Sequence, residues 1–292
     1  VGQNNSLRGM DEQARKDTVP TIENHLGSEL RRWRDARRIS QLELASRAGT
    51  TQRHLSFVET GRSLPGRPLV LRLAESLDLS LRERNALLVS AGYAPAFSET
   101  NLDDPRMRPV REALHQVLAG HLPYPALVAG PLGQIVAAND AIGVLSEGVA
   151  PELLAGRNIW RLALHPDGMA ARVQNLAVWG RHVIEGLRAR AARHPDPRLS
   201  ELITELSGYL PDAPPPGRDY LGFAVPLELR TSEGTLRLLT TLTSFATAVD
   251  VTLAELHLEA WLPVDEATAD VLRRRHDGST AGQPAGISRS SR

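Results

Sequence analysis

The sequence predicts a two-domain protein, an all-α amino-terminal domain followed by an α+β domain, and three observations carry that expectation. The chain has 292 residues, more than a single domain usually holds. From Ile22 to about Ala94 apolar residues recur at helical spacing with short connections. Beyond a stretch rich in Gly, Pro and acidic residues at 92–109, strict alternation of apolar and polar residues replaces that spacing in several segments, as in half-buried strands.

Composition narrows the function classes. Hydrophobic residues make up 41% of the chain, enough for packed cores, while the formal net charge is +0. Total charge therefore says nothing about nucleic acid, and charge has to be read segment by segment. There is no cysteine, which excludes disulfides, thiolate nucleophiles and cysteine-based zinc sites. The nine histidines are scattered and form no H-E-x-x-H, so no metal site is expected. Apolar runs are broken by Arg, Glu or His well short of the ~20 residues a spanning helix needs, and no charged-then-apolar leader is visible. The expectation is a cytoplasmic protein without membrane contact. Residues 1–21 and 277–292 are expected to be disordered arms.

The first domain, residues 22–94, is specified locally. A first helix runs from His25 to Arg38. Ser40 and Glu43 read as an S-x-x-E capping box that opens a second helix, with Leu42, Leu44, Ala45 and Ala48 as its buried stripe. Gly49 supplies the left-handed residue that a tight turn requires. Thr51 caps a third helix, whose inward residues are Leu55 and Val58. Two short helices around a Gly turn form a helix-turn-helix; an ordinary helical hairpin packed for stability is the alternative. The outward end of the third helix favours the first, because Thr51, Gln52, Arg53 and Ser56 cluster there. Gln can pair with adenine and Arg with guanine in the major groove, each discriminating by ~1–3 kcal/mol. Between His25 and Glu75 ten Arg face five acidic residues, an excess that suits phosphate attraction.

Residues 26–93 resemble the XRE-type helix-turn-helix family, the lambda-repressor-like fold, through "LRRWRDARRISQLELASRAGTTQRHLSFVETGRSLP". The resemblance implies double-stranded DNA as partner. It places Gln41 and Arg62 on backbone phosphates, with Gln52, Arg53 and Ser56 on base edges beside the capping Thr51. Glu59 is implied to be structural, paired with Arg31 or Arg34.

After a linker at 95–106, the second domain occupies 107–276. "ALVAG" and "QIVAAN" read as two short strands, with a helix beginning near Asn139. Helices follow from about Gly168 to Ala192 and from Arg198 to Gly208. "YLGFAVPLELR" and "TLRLLTTLTSF" read as a strand pair around the turn "TSEG", and "AELHLEAWLP" alternates again. A last helix starts near Asp265. The segments "PYPALVAGPLGQIVAAND", "NIWRLALHPDG", "LRARAARHPDPRLSELITELS" and "LLTTLTSFATAVDVTLAELHLEAWLPVDEATADVLR" resemble the MmyB-like ligand-binding domain. That resemblance implies a PAS-like fold.

Such a sheet can enclose a cavity of ~300–1,000 Å³. Candidate lining residues are Leu127, Ile135, Ala137, Trp179, Phe223, Val225, Leu238 and Leu242. Their apolar character points to an apolar, acyl-chain ligand and to no other cofactor. A ligand-free dimerisation or protein-interaction module is the alternative, with the helix at 168–192 as contact. Catalysis by His165, His182, the Asn139-Asp140 pair or His257 with Glu255 and Glu259 is the remote one. No nucleophile elbow, phosphate loop or metal spacing accompanies them, so no enzyme activity is expected. One recognition helix reads only a few base pairs, so a homodimer on a palindrome is expected.

Overall fold

A computed structural model describes residues 25–211, 224–245 and 248–281, and the chain divides into two units, Val1–Ser98 and Glu99–Arg292. In the first unit five helices surround one apolar cluster: α1 (His25–Ala36), α2 (Gln41–Arg47), α3 (Gln52–Glu59), α4 (Arg67–Ser76) and α5 (Leu81–Ser90). Leu30, Leu44, Ala48, Leu55, Leu73 and Leu88 are its most enclosed members. Ser40 caps α2 by accepting from the Glu43 amide at 3.1 Å. Only that half of the expected capping box forms there, because the Glu43 carboxylate accepts from Arg47 Nε at 2.8 Å. The reciprocal box is found at α5, where Ser80 and Glu83 each bond the other's backbone. Leu42 departs from the expected buried stripe and is 63% exposed. Leu44, Ala45 and Ala48 fill the inward face, and a seven-residue helix has room for no wider one.

The second unit is an α+β domain around an antiparallel sheet of order β2-β1-β5-β4-β3. Its strands are β1 (Ala126–Ala129), β2 (Ile135–Ala138), β3 (Leu227–Thr231), β4 (Gly234–Ser244) and β5 (His257–Pro263). The strand expected across "YLGFAVPLELR" is confined to β3, and residues 220–223 of that segment lie outside the described residues. β5 is central, pairing with β1 on one side and β4 on the other, so residues on both of its faces are buried.

One face of the sheet is covered by α6 (Arg108–Ala119), with Leu114 and Leu118 packed on Ala126, Val128, Leu258 and Ala260. The other carries a layer of helices, α7 (Gly143–Ser146), α9 (Ile159–Leu164), α10 (Leu176–Arg193) and α11 (Pro197–Ser207), while α8 (Pro151–Gly156) buries no residue. The helix expected from Gly168 begins at Leu176, preceded by a 3-10 turn at Met169–Arg172. The short α12 (Val251–Glu255) leads into β5, and α13 (Glu266–Ala281) closes the described chain.

Three polar side chains stitch these parts. Asn139 precedes the 3-10 turn Asp140–Ile142 that leads into α7, as expected, and its buried side chain accepts from the Ala126 amide (3.1 Å) while donating to the carbonyls of Leu118 and Tyr124. It ties the end of α6 to both short strands, which accounts for it without an acid-base role. In the first unit Asn85 holds the backbone of Ala96 and Phe97. In the second, Asp250 accepts from the amide and hydroxyl of Thr100, the latter at 2.7 Å, and also caps α12. Arg111 donates to the carbonyls of Leu102 and Asp104. The segment read as a linker at 95–106 is thus fastened at both ends.

Gly133 shows how tightly the sheet and helices meet. Its φ is +79°, and a Cβ there would lie 2.8 Å from the Trp160 ring. Gly133→Ala is expected to destabilise the second unit by about 1–3 kcal/mol, read as a lower urea midpoint.

Candidate functional site

The outward end of α3 is set by the turn before it. Gly49 has φ +63°, and the Thr50 amide donates to the Ala45 carbonyl at 2.9 Å. Thr51 accepts from the His54 amide at 3.1 Å and so caps α3, satisfying one of the donors a helix start leaves unpaired. His54 lies between the hydroxyls of Thr50 (3.1 Å) and Ser63 (3.5 Å), which ties the turn to the exit loop. Leu55 and Val58 point inward, each 1% exposed. Thr51, Gln52, Arg53 and Arg62 are exposed and Ser56 is half-buried. Arg53 and Arg62 share one face, since both lie against the Phe57 ring.

Gln41 is placed differently, half-buried with its amide donating to Glu59 at 2.9 Å. Glu59 has a fully enclosed side chain, paired with Arg34 at 2.7 Å and Arg31 at 3.5 Å. Burial alone would push the Glu59 carboxyl up. Hydrogen bonds from Arg34 and Gln41, with the charges of Arg34 and Arg31, outweigh it and hold the group below its ordinary value. Arg34 also donates to the Ile39 carbonyl at 3.0 Å, so one guanidinium joins α1, the turn before α2 and the end of α3.

Phe57 was not singled out by its sequence context. The guanidinium of Arg53 lies 5.4 Å from its ring centroid and that of Arg62 lies 6.0 Å away, within the range of cation–π attraction. Both cations rest on one half-buried ring. The Arg53-x-x-x-Phe57 spacing, one helical turn, was the available signal.

In the second unit the eight candidate lining residues do not converge on one open cavity. Leu127, Leu238 and Trp179 are closed into the core, with half-buried Ile135 and Val225 packed against it. Ala137 belongs to the opposite face, beneath α6, because a register irregularity between Val128 and Ala129 breaks the alternation that would have placed it with Ile135. Leu242 is 65% exposed, since the helical layer does not reach the second half of β4. Phe223 lies outside the described residues. A cavity of about 200 Å³ instead opens among Asp140, Val144, Glu147, Leu272, Arg275 and His276. Arg275 pairs there with Glu147 and, at 2.6 Å, with Glu233. His257 and Glu259 are both buried and bonded to each other.

A helix-turn-helix unit followed by an α+β unit on the same chain is the architecture of a transcription regulator with a sensing domain. The chain belongs to the MmyB-like transcription regulators: the family described as MmyB-like transcription regulator ligand binding domain matches residues 110–274. A helix-turn-helix domain family matches residues 25–87. An uncharacterised HTH-type transcriptional regulator of Sinorhizobium fredii, y4dL, is 40% identical over 57 residues, 20% of this chain and 29% of that protein. The match spans less than a third of that relative's length. Among solved structures, the clp gene regulator ClgR from Corynebacterium glutamicum is 23% identical, covering 36% of this chain and 99% of that one at a TM-score of 0.22. An RNA-binding light-oxygen-voltage receptor is 14% identical, covering 94% of this chain and 68% of its own at 0.27. Scores of this size carry no argument about the fold. Among the described residues no helix is long and apolar enough to cross a membrane.

Glu59→Ala should destabilise the first unit by up to about 3 kcal/mol, because Arg34 loses its buried partner and keeps only the exposed Asp35. The pH dependence has a definite sign. The Glu59 carboxyl is lowered from 4.5, so its contribution is complete above that value and is lost as acid passes through the lowered one. Thermal unfolding of Glu59→Gln between neutral and acid pH should show a smaller acid loss than the parent chain.

Proposed function

We propose that this protein is a cytoplasmic regulator that binds a palindromic DNA operator as a homodimer. A small apolar ligand in the second unit modulates that binding. The observation that carries the DNA reading is the exposed end of α3, where Gln52 and Arg53 stand beside a formed cap and Arg62 follows on the same surface. Short polar groups on a helix end fit a major groove, and cations with no carboxylate partner among the described residues suit phosphate. Dimerisation supplies the second half-site that a few base pairs of recognition require. Ligand control then requires only that the ligand favour one arrangement of the dimer, and a coupling of ~1–3 kcal/mol shifts operator affinity ~5–150-fold.

A second reading, in which the second unit dimerises without a ligand, is favoured by the closed packing of Leu127, Trp179 and Leu238. Native mass spectrometry of the purified chain separates the two, since a co-purifying small molecule supports the ligand and a bare chain supports the second reading.

Selection of bound fragments from genomic DNA tests the DNA reading, with a symmetric operator expected; no enrichment over scrambled duplex would overturn it. Gln52→Ala and Arg53→Ala should each relax preference at one base position by ~1–3 kcal/mol. Arg62→Ala should weaken all sequences alike and lower the salt slope by about one. Phe57→Leu should weaken binding by a few-fold, consistent with ~0.5–1 kcal/mol per exposed cation–π contact, and Phe57→Tyr should restore it. Sedimentation of residues 95–292 should show a dimer; a monomer would move the dimer contact to the first unit.

A further inference from the structure

The helix-side face of β5 carries three polar side chains in alternation, His257, Glu259 and Trp261, all buried. Alternate residues of a strand share a face. Leu127 and Ala129, which pair with Glu259 and His257 across β1, belong to the cluster on that side. His257 Nε2 lies 3.1 Å from Glu259 Oε1, and the His257 ring stacks on Trp160 with centroids 6.4 Å apart. That contact accounts for only one of the nitrogens on this face. Among the described residues His257 Nδ1 and Trp261 Nε1 are shut off from solvent and have no hydrogen-bond partner. Buried polar groups left without a partner are costly and uncommon in native proteins. Two on one strand face mark a place where another molecule supplies the partner.

Two further features agree. Thr240, Leu242 and Ser244 of β4 pair with Trp261, Glu259 and His257 and share their face, yet all three are exposed. The buried polar row therefore borders an open strip of sheet, a route by which a small molecule can arrive. On α10, Arg190 follows the core residue Leu187 by one turn and is half-buried. Its charge is set against Glu259 and Glu255, and its guanidinium donates no hydrogen bond within the described residues.

We propose that this face of β5 is the polar end of the ligand site, and that it takes a ligand with an apolar body and an uncharged oxygen acceptor. A ketone, ester or lactone carbonyl fits this description. The proposal rests on the ligand reading above. The chemistry follows from what is left unpaired. Trp261 Nε1–H can only donate, as can the Arg190 guanidinium, so at their end the ligand must bring an acceptor; His257 Nδ1 is itself an acceptor while Nε2–H donates to Glu259 and sets no demand for one. The Arg190 charge already feels the negative charges of Glu259 and Glu255. A ligand anion would add a third negative charge against one guanidinium in a poorly solvated place, whereas a neutral carbonyl satisfies the donors without that cost.

The full chain can be titrated with four probes of one chain length: 2-dodecanone, dodecanoate, dodecylamine and dodecane. The ketone is expected to bind roughly tenfold tighter than the other three, the worth of one well-made hydrogen bond to a buried donor. It should also displace the indole N–H resonance of Trp261, identified among the four Trp by its disappearance in Trp261→Phe. In that variant the ketone should fall to the affinity of dodecane, while the ligand-free chain keeps or raises its Tm because an unpartnered donor has gone. A merely structural Trp261 would instead lower Tm and weaken all probes alike, which overturns the proposal. So does dodecanoate matching the ketone, or ketone binding that leaves the Trp261 signal unmoved. Dodecane binding as tightly as the ketone overturns the polar subsite alone, whereas failure of all four probes overturns the ligand reading with it. The ranking on the unaltered chain decides the matter even where Trp261→Phe fails to fold.

Discussion

A carboxylate with no access to water persists only where other groups replace its hydration, and Glu59 meets that condition through Arg34, Gln41 and Arg31. The first unit is organised around this requirement. The partners come from α1 and the start of α2, while Glu59 ends α3, so the three elements are held at one mutual angle by a single buried charge. An eight-residue helix is far too short to be stable on its own. The network and the cap at Thr51 are what fix α3 in place, and they leave its opposite face with no structural duty. That is why Gln52 and Arg53 can stay in solvent.

The second unit holds a buried carboxylate of another kind. Glu259 has His257 as its hydrogen-bond partner on a strand enclosed from both faces, and two nitrogens on that face, His257 Nδ1 and Trp261 Nε1, have no partner among the described residues. Where the Glu59 network is closed, the β5 row is incomplete. The contrast separates a polar cluster whose buried carboxylate is fully met from one in which two nitrogens are not. Buried polar networks stabilise when every member is satisfied and carry a penalty when some are not, so the two clusters differ in consequence as well as composition.

Much of the first unit was legible because its determinants are local. Gly49, Thr51 and the Leu55/Val58 spacing each act within one turn of chain, and the implied pairing of Glu59 with Arg31 or Arg34 follows from their place in the motif. What was missed there was also local but ambiguous: Leu42 fits an apolar stripe by spacing yet lies outside it, and Glu43 had a competing partner in Arg47 one turn away. The second unit was less legible because its sheet joins distant segments. Alternation in "AELHLEAWLP" identified a strand, but polar residues on one side of a strand ordinarily mean solvent. Only the placement of β5 between β1 and β4, under the helical layer, turns that side inward. The same non-local geometry explains Ala137 and Leu242, which periodicity alone could not assign to a face.

The boundary between the units falls after Ser98, and the backbone on each side of it is tied to its own unit. Asn85 grips the backbone at Ala96 and Phe97 from one side, and Asp250 grips Thr100 from the other. The span between these anchors is a few residues at no more than ~3.6 Å each. Asp250 also starts α12, whose end runs directly into His257 and the polar row of β5. The one Asp250 carboxylate therefore holds both Thr100 and the entry to β5, and its removal would loosen two separate stretches of the second unit at once.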